Sequence, residues 1–517
     1  MIAMQSMAPI MFASLVAVML IGFPVAFSLA ALGIGFGYFA VWMGFFPEAF
    51  MSNLPLRLFG IMSNELLLAI PFFTLMGAIL ERCGLAEDLL EGMGQLFGAI
   101  PGGLGFAVII VGAILGAITG TVAASVIAMG MISLPIMMRY GYNMRYATGV
   151  IAASGTITQV IPPSLVLIVL ADQMGRSVGD MYKGAVGPSI LQVSIFLLFT
   201  VGVALMRPHW VPPLPPEARE RRGWSLWSKV LWGMVPSIAL IFLVLGTIFM
   251  GLATPTEAGA LGALGAVILA AMHRRLTWSL MWQGMDTTMR ISAMVIFILI
   301  GSTVFSLVFQ GVDGNVWVEH MLSGLPGGQL GFLIAVNIFV FFLAFFLDFF
   351  EIAFIIVPLL APVAAKLGID LIWFGVLLCV NMQTSFMHPP FGFALFYLRG
   401  ISDQIYKNKS IQRPILSKDI YLGAIPWVVM QLILVGIVIV WPGSVTYWLD
   451  KDVKLDTDKA TQMLEGMGGR GERSTTDPNQ GLFPPAAPAS APPVPESTGK
   501  EDPMEAMRRS LGGDTKK

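Results

Sequence analysis

Charge is scarce in this sequence. Of 517 residues, 12% are Asp, Glu, Lys or Arg, about half the roughly 25% carried by soluble domains. That excludes an ordinary soluble protein. Neither sign dominates either: 30 Lys and Arg face 31 Asp and Glu, for a net charge of -1. A nucleic-acid binder needs a basic face for the phosphates, so none is expected. Cysteine is rarer still. Cys83 and Cys379 are the only two, too few for a disulfide framework and without a CxxC partner for a metal. The four histidines, His209, His273, His320 and His388, are scattered, which disfavours a haem or zinc centre and with it a membrane redox enzyme. No GK[ST] follows any glycine loop, and no strand precedes Gly102-Gly103-x-Gly105. ATP drive is therefore disfavoured.

What is abundant is apolar: 56% of residues are hydrophobic and the mean hydropathy is +0.79. These residues fall in long blocks rather than at the spacing of amphipathic helices or strands, the pattern of an all-α polytopic membrane protein. About 20 apolar residues cross a hydrocarbon layer of about 30 Å at 1.5 Å per residue. Blocks of that size predict spans near 7–31, 33–50, 62–81, 146–171, 185–206, 230–250, 255–272, 287–309, 370–398 and 420–447. Two blocks, 104–138 and 330–366, are about twice too long for one span and are interrupted near their middles. With no Lys or Arg before Arg57, the N-terminus is not expected to be a signal peptide.

Lys and Arg concentrate in 207–229 and 399–418, which places both loops in the cytoplasm. Trp224, Trp227 and Trp232 then sit at headgroup level. Counting spans between these loops makes 330–366 a hairpin that enters and leaves on one side, and 104–138 a hairpin entering from the cytoplasm. The expectation is about ten crossing helices plus two re-entrant hairpins, although each long block could instead be two full spans. The segment 449–517 differs in kind. Pro484, Pro485, Pro488, Pro492, Pro493 and Pro495 lie among Ala and Ser, and such a tail is expected to be disordered.

The two hairpin regions resemble one another. LPIMMRYGYNMRYATGVIAASGTITQVIPPS begins at residue 134 and APVAAKLGIDLIWFGVLLCVNMQTSFMHPPF at residue 361. Pro135 matches Pro362, Gly141 matches Gly368, and Pro162-Pro163 matches Pro389-Pro390, all at one constant offset. At that offset Thr121 falls opposite Asp348 and Ser154 opposite Asn381. The domain reading follows: N-terminal scaffold spans in 1–61, a first repeat in 62–206, a basic loop in 207–229, and a second repeat in 230–448. The first repeat holds hairpin 104–138 and broken helix 146–171; the second holds hairpin 330–366 and broken helix 370–398. Copies entering from opposite faces form an inverted repeat, and secondary transporters place substrate and ion sites at that interface. Paired prolines remove N–H donors and break a helix, freeing carbonyl oxygens at membrane depth. Freed carbonyls and hydroxyls suit dehydrated Na⁺, and half-helix N-termini suit an anion.

The candidate substrate- and ion-binding residues in the first repeat are Gly116, Thr119, Gly120, Thr121, Ser154, Gly155, Thr156, Pro162 and Pro163. In the second they are Asp348, Asn381, Gln383, Thr384, Pro389 and Pro390. Small and hydroxyl residues also let membrane helices approach closely, so each competes with a packing role. An intramembrane carboxylate such as Asp348 or Glu351 points more directly to function. Glu257, in TPTEAG, reads as a helix-capping acid rather than a proton relay, and His388 as a residue lining the cavity.

These segments resemble the large membrane subunit of the TRAP transporters, the tripartite ATP-independent periplasmic family. The resemblance rests on LLAIPFFTLMGAIL (67–80), ITGTVAASVIAMGMISLPIMMRYGY…AASGTITQVIPPS (118–164), GLATPTEAGALGALGA (251–266) and LDFFEIAFIIVPLLAPVAAKLGI…NMQTSFMHPPFGFALFYLRG (347–400). It covers about residues 5–448. It implies an elevator-type importer in the bacterial inner membrane, driven by Na⁺ as coupling ion and using no other cofactor. The substrates it implies are organic acids, such as C4-dicarboxylates or 2-oxo acids, and HPPFGF resembles the branch associated with 2-oxo acids. The implied partners are a small four-span membrane subunit, expected as a separate chain, and a periplasmic binding protein. The implied Na⁺ ligands are Thr121, Ser154, Thr156, Asp348, Asn381 and Thr384. This sequence departs from the family pattern in lacking an acid near the first hairpin tip, and in placing Phe386, Met387 and His388 before the second proline pair. A stand-alone Na⁺/carboxylate symporter of similar design is the alternative. An intramembrane enzyme lacks its nucleophile–base pair or aspartate-rich motif here.

Overall fold

The structure, a computed structural model, describes residues 4–219, 223–389, 392–411 and 413–449, apart from the side chains of Gln5 and Thr119. The expected tail beyond residue 449 and Pro390 lie outside the described residues, as does the side chain of Thr119. Among the described residues there is no strand, and the elements are helices throughout. Eight helices are long and apolar enough to cross a membrane, or up to ten if each of two bent pairs counts as one span. The protein is an all-α, multi-pass membrane protein.

Most expected spans are found with shifted ends. Pro255–Met272 coincides with its apolar block. Thr254 and Glu257 form a capping box at its start: Thr254 N donates to Glu257 Oε2 at 2.8 Å, and Glu257 N to Thr254 Oγ1 at 3.3 Å. Glu257 is thus a cap. Val178–Met206, Trp278–Gly311 and Ser417–Val440 each begin several residues earlier than hydropathy alone suggests. Ser177 and Thr277 cap the first two by accepting from Asp180 N and Leu280 N.

Three expectations need correction. The first two spans are not 7–31 and 33–50 but Met4–Ile21 and Val25–Trp42. The chain turns at Gly22, whose φ is +93°, and Pro24 cannot donate to a continuing helix. The apolar run passes unbroken through this turn, so hydropathy missed it. The loop 207–229 is shorter than expected, because a helix starts at Trp224 and runs to Phe249. Its first turns bury Leu226 while Trp224 and Trp227 stay exposed, and Lys229 pairs with Glu91. Finally, Leu54–Met62, Leu85–Phe97 and Gly314–Ser323 are short helices in stretches too polar or too short to read as spans. Glu48–Met62 meets Glu65–Arg82 at a 48° bend, and Gly314–Ser323 meets Gly328–Leu343 at 115°.

The long interrupted blocks are pairs of helices. Gly103–Thr119 and Val122–Arg139 join at Gly120-Thr121 and pack on each other. In the second block Gly328–Leu343 is followed by a turn and then by a helix from Phe349 to Lys366, which includes a wider π turn at Ile352–Ile356. Both following helices are broken: Met144–Thr156 with Leu165–Gln173, and Leu371–Ser385 with Phe393–Lys407. Tyr146, Phe196, Phe199 and Trp427 lock the first broken helix to its neighbours, with Phe196 and Trp427 edge to face at 5.0 Å. Tyr142, in the loop before that helix, accepts from Leu104 N at 3.2 Å, and burial pushes its phenol up to about 12. Exposed Leu198, Phe242, Ile268 and Phe342 leave an apolar outer surface suited to lipid.

Candidate functional site

The first repeat builds its site by close approach. A Cβ on Gly112 would lie 2.7 Å from Ser154 Cβ, and one on Gly116 would lie 3.0 Å from Thr158 Cα. The first hairpin arm therefore lies directly against the broken helix, a contact only glycine permits. Gly155 receives Val126 of the second arm just as closely. At the tip, Gly120 has φ +63° and faces Leu165, the first residue of the second half-helix. The tip thus abuts the break.

That break runs from Val160 to Ser164 and contains the Pro162-Pro163 pair, whose peptide bond is cis. Its freed groups are shared among neighbours. Ser164 Oγ donates to Gln159 O at 2.6 Å and accepts from Val166 N at 3.2 Å. Ser189 Oγ reaches Val160 O at 3.1 Å, and Tyr182 Oη reaches Ser164 O at 3.4 Å. Thr156 Oγ1 donates to Ala153 O at 2.9 Å and accepts from Gln431 Nε2 at 3.0 Å. Two oxygens remain over: Ser154 Oγ and Gln159 Oε1 are buried with no hydrogen-bond partner.

The second repeat reaches the same place differently. Asp348 caps the helix after the turn. Its Oδ1 accepts from Phe350 N, and Asp348 N donates to Glu351 Oε2 at 2.8 Å. Both intramembrane acids are thereby engaged in one capping box. Asn381 is buried and gives Nδ2 to Asn337 O at 2.8 Å. Thr384 Oγ1 donates to Asn381 O at 2.7 Å. Gln383 is fully buried with neither side-chain polar atom bonded, and Asn337 Oδ1 is likewise unpartnered. No hydrogen bond or ion pair joins Asp348 to Asn381 or Thr384 among the described residues. Asp348 is the cap of the helix that follows the turn, and Asn381 and Thr384 lie buried in Leu371–Ser385. Pro389 follows His388, whose Nδ1 lies 3.1 Å from Pro389 O. The His388 ring packs edge to face on Phe341 at 4.8 Å and tilted against Phe345 at 4.6 Å.

The two broken helices touch: Cys379 Sγ, within Leu371–Ser385, donates to Gln159 O at 3.2 Å, just before the first break. Gln159, Asn337 and Gln431 were not singled out by sequence reasoning. Each is an amide inside an otherwise apolar run, and that was the available signal. No group of three His, Cys, Asp or Glu side chains could hold a metal among the described residues. The oxygens at hand are hydroxyl, amide and carbonyl, ligands for a hard cation rather than for a soft transition metal.

Residues 12–444 match the family described as "Tripartite ATP-independent periplasmic transporter, DctM component". The chain is 31% identical over 410 residues to the C4-dicarboxylate TRAP transporter large permease protein DctM of Rhodobacter capsulatus, covering 76% of this chain and 90% of that one. It is 26% identical over 422 residues to the sialic acid TRAP transporter large permease protein SiaM of Vibrio cholerae, covering 81% and 93%. In fold it is similar to the YdaH transporter of Alcanivorax borkumensis, whose crystal structure has an unusual topology. The TM-score is 0.55 at 16% identity, over 76% of this chain and 87% of that chain. The match to the family spans most of the described helices, including both hairpins and both broken helices. This chain belongs to the TRAP transporter family as its large permease component.

Proposed function

We propose that this chain imports small organic acids across the bacterial cytoplasmic membrane, driven by an inward Na⁺ gradient. A periplasmic binding protein delivers the substrate, and a small four-span membrane subunit completes the complex. The relatives are named for C4-dicarboxylate, isethionate, 2,3-diketo-L-gulonate and sialic acid. All are small polar acids, and that is the class proposed here.

The observation that carries the reading is a set of buried oxygens without partners beside two helix breaks: Ser154 Oγ and Gln159 Oε1 in one, Asn337 Oδ1 and Gln383 Oε1 in the other. Burying a polar oxygen unpaired costs about 1–3 kcal/mol. A dehydrated cation would restore that loss in both places. Thr121, Ser154 and Thr156 are the proposed side-chain ligands of the first repeat, and Asn381 and Thr384 those of the second. Asp348 lies at the tip as a ligand or as the group that orients the turn. Gly116, Gly120, Gly155, Pro162, Pro163 and Gln383 shape the two breaks. Moving both hairpins and broken helices together past the remaining helices, as an elevator, would carry substrate and ion across at once.

The test is uptake in proteoliposomes holding this chain and its small subunit, with an inward Na⁺ gradient, with and without the cognate binding protein. Uptake of an organic acid that requires both supports the proposal. Uptake indifferent to the binding protein favours a stand-alone symporter, and uptake indifferent to Na⁺ overturns the coupling.

A further inference from the structure

A cleft of about 230 Å³ opens where the first hairpin tip meets two flanking helices. Thr121 and Ala124 line it from the hairpin, Thr74, Glu81 and Arg82 from Ala69–Arg82, and Thr287 from Trp278–Gly311. The two charged residues carry opposite signs on one rim. Arg82 Nη2 donates to Thr287 Oγ1 at 3.0 Å, and Nη1 lies 3.4 Å from Ala78 O. A guanidinium has five N–H donors, so several remain for a ligand. Among the described residues neither Glu81 nor Arg82 forms an ion pair, and Glu81 forms no hydrogen bond. Asp286, beside Thr287, pairs with Arg290 at 2.8 Å and also feels the charge of Arg82. The Thr121 hydroxyl makes no capping bond. Glu81 is half-buried and the exposed Arg82 is its neighbouring opposite charge, so a polar ligand entering the cleft meets a carboxylate and a guanidinium side by side.

We infer that this cleft receives the polar end of the substrate and selects its class, an inference that rests on the import reading above. Arg82 binds the carboxylate, for which its planar fork is suited. Glu81 accepts a hydrogen bond from a hydroxyl or ammonium on the adjacent carbon. Thr121 brings the hairpin tip onto the same ligand. A second carboxylate placed at Glu81 would meet like charge, and a keto oxygen there would meet an acceptor with an acceptor. The preferred ligand is therefore a small acid with a donor beside its carboxylate, over a plain dicarboxylate or a 2-oxo acid.

Lactate, pyruvate and succinate separate these cases, since lactate and pyruvate differ only at the donor. Their affinities for the full chain in complex with its small subunit can be read by calorimetry at one saturating Na⁺ concentration. Lactate should bind about tenfold better than pyruvate or succinate, the factor expected of one hydrogen bond to a charged group. Arg82→Gln should weaken lactate at least tenfold and Arg82→Lys less. Glu81→Gln should erase the preference over succinate, and Thr121→Val should weaken all three acids. Lactate binding no better than pyruvate and succinate overturns the inference, as does unchanged affinity in Arg82→Gln or an unchanged ranking in Glu81→Gln. Affinity here is read without a gradient or a binding protein. Loss of Na⁺-driven uptake would count against the import reading alone, and unchanged affinities against this cleft alone.

Discussion

The two repeats solve one problem with different chemistry. In the first, glycine brings the hairpin against the broken helix. Gly112 and Gly116 admit Ser154 and Thr158, and Gly155 admits Val126. No acidic side chain lies in the tip turn, where Gly120 supplies the left-handed conformation. In the second, side chains take over. Asp348 and Glu351 cap the turn, Asn381 holds Asn337, and His388 packs between Phe341 and Phe345. At the repeat's offset Met382 stands where the first copy has Gly155, and Asn381 where it has Ser154. At the repeat's offset, then, the first region presents glycine and hydroxyl residues where the second presents amide and carboxylate residues.

Enlarging Gly155 should break this comparison most severely. Gly155→Leu drives a side chain into the backbone and side chain of Val126, and overpacking of this kind costs about 1–3 kcal/mol or more. Thermal unfolding of the purified protein should show a large loss for Gly155→Leu and a small one for Met382→Leu. Equal losses would mean that the two copies are packed alike.

Next in size is the contrast between Asn381 and Ser154. Asn381→Leu removes the bond to Asn337 O. Both a stability loss of about 0.5–1.5 kcal/mol and weaker Na⁺ dependence of uptake are expected. Ser154→Ala removes no bond, because its oxygen has no partner. Stability should hold while the apparent Na⁺ affinity falls. Unchanged Na⁺ dependence in both variants would remove these two positions from the ion sites.

Asp348 sharpens the comparison further. Asp348→Ala loses the cap, worth about 0.5–2 kcal/mol, whereas Asp348→Asn keeps it. If Asp348 ligates Na⁺, both variants raise the Na⁺ concentration needed for half-maximal uptake. Normal Na⁺ dependence in Asp348→Asn would assign the residue to the turn alone, and make both repeats carboxylate-free in their ion chemistry.

The smallest effect is expected far from the hairpins. Thr254→Ala opens the capping box at Pro255–Met272 and should cost about 1 kcal/mol, read as a lower unfolding midpoint. Na⁺-dependent uptake should be unchanged. A transport defect there would show that this helix takes part in the cycle rather than framing it.

How much was legible differs between the same regions. The long apolar blocks, the polar interruption at Thr119–Thr121 and the proline pairs are covalent facts, and they announce helices, turns and breaks wherever the chain lies. The Gly22 turn was hidden because the residues on both sides are equally apolar. Asp348 was legible as an unusual acid but not as a cap, since that depends on the direction its carboxylate takes toward Phe350 N. Gln159, Asn337 and Gln431 each carry a weak polar signal, and only their burial without full satisfaction distinguishes them from ordinary helix contacts.

Composition and pattern by themselves determined that the chain is helical, crosses a membrane many times and carries one proline and glycine spacing twice. The physical reason is that hydrocarbon forces every backbone group to be paired within a segment, so long apolar runs have almost no alternative to helix. Tertiary structure decided which polar atoms stay unpaired, that the two broken helices meet at Gln159 and Cys379, and that Glu81 and Arg82 share a cleft with the hairpin tip. Those outcomes depend on contacts between residues far apart in the chain, on distances of a few tenths of an ångström, and on which competing partner reaches each oxygen first.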